Sequence, residues 1–193
     1  MKLQTLKPPQ GHVEDGCVVM PVSDLHPLWG GNNLTEATFK EIASLIDGNF
    51  LNQRIRAEQL KSVNFAGFNN DTMRFTIPSS EFDENGIKYM ASVQFEEWDE
   101  IGQDPDFNNN EKARLILWIG NLKMHCSCPS FLYHYQYNLT AIDASIYPEE
   151  RAPVKTNPDQ RGIVCKHLNL LLRVIPFNMG YIAQEMKKQF GEG

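Results

Sequence analysis

Two short motifs stand far apart in the chain: Cys126-Ser127-Cys128 and Cys165-Lys166-His167, separated by the 36 residues 129–164. Side chains at i and i+2 of an extended backbone point the same way, so each motif can bring two donors to one point. Three thiolates and an imidazole fill the tetrahedral shell that zinc prefers. Cys126, Cys128, Cys165 and His167 are therefore expected to bind one structural zinc ion per chain, since four protein donors leave no vertex for water. Pro129 forbids continuation of a strand through the first motif. The second motif opens an apolar helical run, whose N-terminal partial charge favours a thiolate. Ligands so distant in sequence predict a clasp that closes a long loop.

Competing readings of these residues remain. Three buried cysteines with a core histidine would give the same sequence, and His125 and His134 are close enough to be alternative ligands. The fourth cysteine, Cys17, is distant and reads as a small buried apolar residue. Two disulfides are disfavoured because Cys-x-Cys neighbours bridge poorly and a chain of 193 residues buries enough surface to need no staple. The segment from Met1 to Pro9 lacks the apolar stretch of a secretory signal, which predicts a reducing compartment. No apolar run approaches the ~20 residues of a membrane span, so no membrane partner is expected.

Charge restricts the function classes. The net charge is −6, which argues against nonspecific coating of nucleic acid. The balance is uneven, because residues 151–193 hold seven Lys/Arg against three Asp/Glu. Arg151, Lys155, Arg161, Lys166 and Arg173 form a candidate phosphate-facing set near the second motif, and Tyr133, Tyr135 and Tyr137 offer stacking faces. Against that, the same tyrosines share an amphipathic helix, where such residues are more often core or half-buried packing.

The pattern along the chain predicts an α+β fold: antiparallel strand hairpins packed with helices around the Cys3His site, plus an extended N-terminal arm. The expected divisions are an arm at 1–33, a helical segment at 34–71 and a zinc-stapled domain at 72–193. Prolines and glycines break residues 1–33, with one short strand expected at Cys17–Met20. Helices are expected from Thr35 to Gly48 and from Phe50 to Leu60. Met73, Phe75 and Ile77, then Ile87, Tyr89, Ala91, Val93 and Phe95, alternate as two strands of a hairpin turned at Asn85-Gly86. Residues 96–112 read as an acidic loop. Asp104, Asp106 and Asn108 alternate as in a calcium loop, but the required glycine and distant glutamate are missing. Leu115–Ile119 reads as a buried strand, Leu122–Cys126 as another, and Phe131–Ser145 as helical. Residues 147–162 read as a loop, and helices are expected at Lys166–Val174 and Tyr181–Phe190.

Cys126-x-Cys128 followed by Cys165-x-His167 resembles the SWIM zinc finger, Cys-x-Cys, a variable insert, then Cys-x-His. The form Cys-x-Cys-Pro-Ser-Phe, an aromatic insert, a Pro-Glu-Glu-Arg loop and Cys-Lys-His-Leu resembles a variant of uncharacterised tailed-bacteriophage proteins, over roughly residues 72–180. That resemblance implies a strand hairpin before the first pair, a helix after the second, and binding to DNA or to protein partners. The sequence carries no Gly-x-Ser-x-Gly, phosphate-binding loop or His-Glu-x-x-His, so no enzyme is expected and no small-molecule substrate; magnesium at Glu96, Glu97, Asp99, Asp104 and Asp106 is the alternative. The expectation is a zinc-stabilised structural or interaction protein, a phage neck, tail or capsid-associated component that is homo-oligomeric and found in the virion or host cytoplasm. A SWIM-type DNA-binding or DNA-processing accessory role is the alternative.

Overall fold

The computed structural model describes residues 12–14, 17–19, 56–60, 62–79, 86–158 and 162–191. The chain divides into two units, Met1–Asn33 and Leu34–Gly193. In the first, strands β1 (His12–Glu14) and β2 (Cys17–Val19) pair antiparallel, His12 opposite Val19. β2 lies where a short strand was expected. The helix expected at Thr35–Gly48, the Asn85 turn position and Arg161 lie outside the described residues; of the helix expected at Phe50–Leu60, residues 56–58 are helical.

The second unit is built on a four-stranded antiparallel sheet in the order β3-β4-β5-β6. Its strands are β3 (Asn64–Asn69), β4 (Thr72–Pro78), β5 (Lys88–Phe95) and β6 (Leu122–Cys126). The β4–β5 hairpin matches the alternation in the sequence, with Phe75 opposite Ala91 and Met73 opposite Val93. Met73, Phe75, Ile77, Ala91, Val93, Phe95, Leu122, Met124 and Cys126 share the buried face. Burial of each large apolar side chain contributes about 1.5–3 kcal/mol.

Three expectations are corrected. Residues 64–69, placed in a helical segment, form β3. A bulge explains the misreading: Phe65 lies opposite Phe75, but Gly67 lies opposite Arg74 and Phe68 opposite Met73. Gly67 takes φ +113°, a conformation open to glycine, and the extra residue puts Phe65 and Phe68 on one face at an interval that imitates a helix. Residues 96–112 are not a simple loop, since they contain helix α1 (Trp98–Gln103) and the start of α2 (Asn109–Trp118). Leu115–Ile119 is therefore mainly helical, not a strand. Asn108 accepts from the backbone N–H groups of Asn110 and Glu111, and Glu111 accepts from that of Asn108, a complete capping box.

The remaining helices are α3 (Pro129–His134), α4 (Gln136–Ala141), α5 (Lys166–Val174) and α6 (Met179–Phe190), with a 3-10 turn at Ile175–Asn178. α5 has the expected bounds and α6 begins two residues early. Aromatic packing fastens one end of the sheet: Trp98 lies 5.9 Å from Phe95 and 5.5 Å from Phe68 by ring centroids. Its indole N–H donates to Gln189 of α6 at 2.9 Å. Tyr181 of α6 stacks on Phe65 at 4.5 Å. The antiparallel register puts Cys126 opposite Ala91, at the other end of the buried face from Phe95.

Candidate metal centre

Cys126 ends β6 on its buried side, because Leu122, Met124 and Cys126 alternate inward. Ser127 continues the pairing through a single backbone bond, its N–H donating to the Met90 carbonyl at 2.9 Å, while its hydroxyl takes the place of a second backbone acceptor for the Met90 N–H at 3.0 Å. Cys128 then caps α3, with Pro129 in the first helical turn where its missing N–H costs nothing. Its Sγ accepts the Phe131 backbone N–H at 3.3 Å. Cys165 is extended at the entry to α5, and His167 sits in the first turn.

These four side chains are all buried, and their donor atoms lie within 4.8 Å of one another. His167 Nδ1 is 3.8 Å from Cys126 Sγ and 3.9 Å from Cys165 Sγ. Zinc–sulfur bonds of ~2.3 Å and zinc–nitrogen bonds of ~2.0–2.1 Å at tetrahedral angles put donor atoms about 3.5–3.8 Å apart. The observed spacing fits such a shell with small adjustments. Among the described residues this is the one such group of His, Cys, Asp and Glu side chains.

Electrostatics point the same way. Hydrogen bonding from Cys126 holds the Cys128 thiol far below its usual range, helped by Cys165 and by the Phe131 N–H. The same Cys126–Cys128 bond pushes the Cys126 thiol well up, and burial pushes Cys165 up. Without a cation the trio thus favours a single thiolate. A divalent cation removes the repulsion and desolvation that oppose the second and third.

The insert is tied back to the sheet. Met124 donates to the Ala144 carbonyl and accepts from the Ile146 N–H, so residues 144–146 run beside β6. Asn138 reaches the Gly162 carbonyl at 2.5 Å, Asn157 reaches that of His134 at 2.8 Å, and Thr156 bonds the carbonyl of Tyr133.

The alternative ligands are not in the cluster. His125 alternates to the other side of β6, edge-on to the rings of Phe131 and Tyr147, where burial lowers its pKa. His134 lies beside Tyr135. The candidate phosphate-facing residues are dispersed among other tasks. Arg151 binds Glu149 through two nitrogens, Arg173 lies 3.6 Å from Glu58, Lys155 is exposed and Lys166 is half-buried. Tyr135 is core, whereas Tyr133 is 65% exposed. Tyr133 and Tyr137 line a shallow groove of about 300 Å³ with Leu132, His134 and the Glu149–Arg151 pair. The acidic residues have local roles: Glu96 pairs with Lys123, Glu97 accepts from the Asn121 N–H, and Asp104 accepts from that of Asp106.

Sequence reasoning missed the Phe131 N–H on Cys128 and the Tyr89 ring against His167. Pro129 directly after Cys128 was the available signal for the first, since proline favours the first turn of a helix. No family model, curated protein or solved structure matches this chain.

Proposed function

We propose that Cys126, Cys128, Cys165 and His167 hold one structural zinc ion, and that the chain is a non-enzymatic interaction protein, a component of a phage virion. The observation that carries the zinc reading is the buried, closed set of four donors at the junction of β6, α3 and α5. Four protein ligands leave no position for a reacting water, so the ion would staple rather than catalyse. It would join the ends of the 129–164 insert to the sheet and to α5.

The interaction reading draws on what the stapled insert presents. Tyr133, Tyr147 and Val154 are 65%, 58% and 79% exposed, and Leu132, next to Tyr133 in sequence, is 36% exposed. Exposed tyrosine and aliphatic side chains on a braced scaffold suit a protein partner. The virion assignment rests on the resemblance to tailed-phage proteins. A second reading, SWIM-type DNA binding, draws on the groove where Tyr133, Tyr137 and Arg151 meet. Two neutralising ion pairs, Arg151–Glu149 and Arg173–Glu58, weaken it. Sizing of the purified chain, with titration against duplex and single-stranded DNA at two salt concentrations, separates the two. A defined oligomer without DNA affinity supports the assembly role, and salt-sensitive micromolar DNA binding overturns it.

A further inference from the structure

We infer that Tyr89 is a positioning residue of the proposed metal site: its ring holds the imidazole of His167 so that Nδ1 is the ligand atom and Nε2 is sealed from water. The inference rests on the zinc reading above. It starts from the sheet register. Core-facing positions of β5 alternate, and Ala91 lies opposite Cys126, so Tyr89 is the next residue on that face beyond the level of the ligand. Its ring lies against the His167 ring at 5.2 Å between centroids, with 54° between planes.

The two imidazole nitrogens have different surroundings. Nδ1 faces the sulfurs of Cys126 and Cys165 at 3.8 and 3.9 Å. Nε2 is buried without a hydrogen-bond partner among the described residues, and His167 as a whole is 2% exposed. A metal-bound histidine almost always donates its second N–H to a carboxylate, a carbonyl or water, which fixes the ring's orientation. Among the described residues no carboxylate or carbonyl takes that place. Packing against Tyr89 supplies the orientation instead, and a tilted aromatic ring excludes water while accepting an N–H weakly through its face. This device uses the ring of Tyr89 and not its hydroxyl.

The test compares zinc-loaded wild type, Tyr89→Phe and Tyr89→Leu, chased with an excess of a coloured chelator. Loss of an outer partner commonly costs 10–100-fold in metal affinity. Tyr89→Phe should release zinc at the wild-type rate and Tyr89→Leu about tenfold faster. Equal rates for wild type and Tyr89→Leu, or fast release from Tyr89→Phe, would overturn the role of the ring. A second measurement needs only the wild type: ¹⁵N-histidine-labelled protein loaded with ¹¹³Cd. One-bond cadmium coupling should appear at Nδ1, with the proton on Nε2; coupling at Nε2 overturns the inference while leaving the metal site intact. A wild type that binds neither ion overturns the zinc reading itself, and this inference with it.

Discussion

Cys128 Sγ accepts the backbone N–H of Phe131 at 3.3 Å, so one sulfur both caps α3 and belongs to the Cys3His cluster. The helix and the site therefore share an atom. Folding the first turn of α3 sets the position of a ligand, and a bound cation would in turn fix the start of the helix.

Cys128→Ser separates these two jobs. Serine is a good N-cap, so α3 should keep its start, but a hydroxyl is a poor zinc ligand. Elemental analysis should find the zinc lost. If the loss removes about 3 kcal/mol, the melting midpoint should fall by roughly 6–12 °C for a chain of this size. Calorimetry checks the second figure.

Removal of the metal by a chelator should loosen the insert first. Residues 147–158 carry no regular helix or strand and are held by side-chain bonds such as Asn157 to the His134 carbonyl. Limited proteolysis should therefore cut this stretch faster after chelation, while α2 and α6 stay protected. Cleavage patterns read by mass spectrometry decide it. An unchanged pattern would mean that the pairing of residues 144–146 with β6 holds the insert without an ion.

Glu149 gives a prediction in pH. The Arg151 guanidinium hydrogen-bonds its carboxylate and holds the pKa down to about 2 from the ordinary 4.5. The folded state thus binds fewer protons than the unfolded state between those values. Any stabilisation from the pair is present above the unfolded pKa and lost as pH falls toward 2. Arg151→Ala should raise the Glu149 pKa from about 2 part of the way toward 4.5, read by carboxyl NMR, because the backbone N–H of residue 151 still donates to the carboxylate. Added salt should raise the wild-type value in the same direction. The pair lies at the surface, so the effect on overall stability should be small.

Gly102 closes the α1–α6 contact. A Cβ at this position would lie 2.2–2.6 Å from ring atoms of Phe190. Gly102→Ala should cost about 1–3 kcal/mol by overpacking. The double variant with Phe190→Ala should lose less than the sum of the two single changes, because the clash is gone. Denaturant unfolding of the four proteins completes the cycle.

The β4–β5 hairpin, β6, α5 and the donor set were legible because each rests on a local pattern. Met73, Phe75 and Ile77 alternate, and Cys-x-Cys before a proline ends a strand. β3 was hidden because its bulge at Gly67 breaks the alternation that identifies a strand. α2 was hidden because Leu115-Ile116-Leu117-Trp118-Ile119 is apolar throughout, and its period emerges only against Lys112 and Ala113. Lys112 is buried, with its ammonium donating to the Gly102 carbonyl at 2.9 Å, a tertiary contact that polarity alone would place outside. Asn108 and Glu111 were the signal that resolves this ambiguity. Tyr89 against His167 was invisible because it depends on how α5 packs against β5, a tertiary contact between residues 78 positions apart.

The central claim is the identity of the ion and its four donors. X-ray absorption at the zinc edge on the purified chain, with metal content measured on the same sample, tests it most directly. One zinc per chain is expected, with three sulfur neighbours at about 2.3 Å and one nitrogen at about 2.0 Å. A chain free of zinc, or a shell containing oxygen in place of one of these donors, would contradict the account.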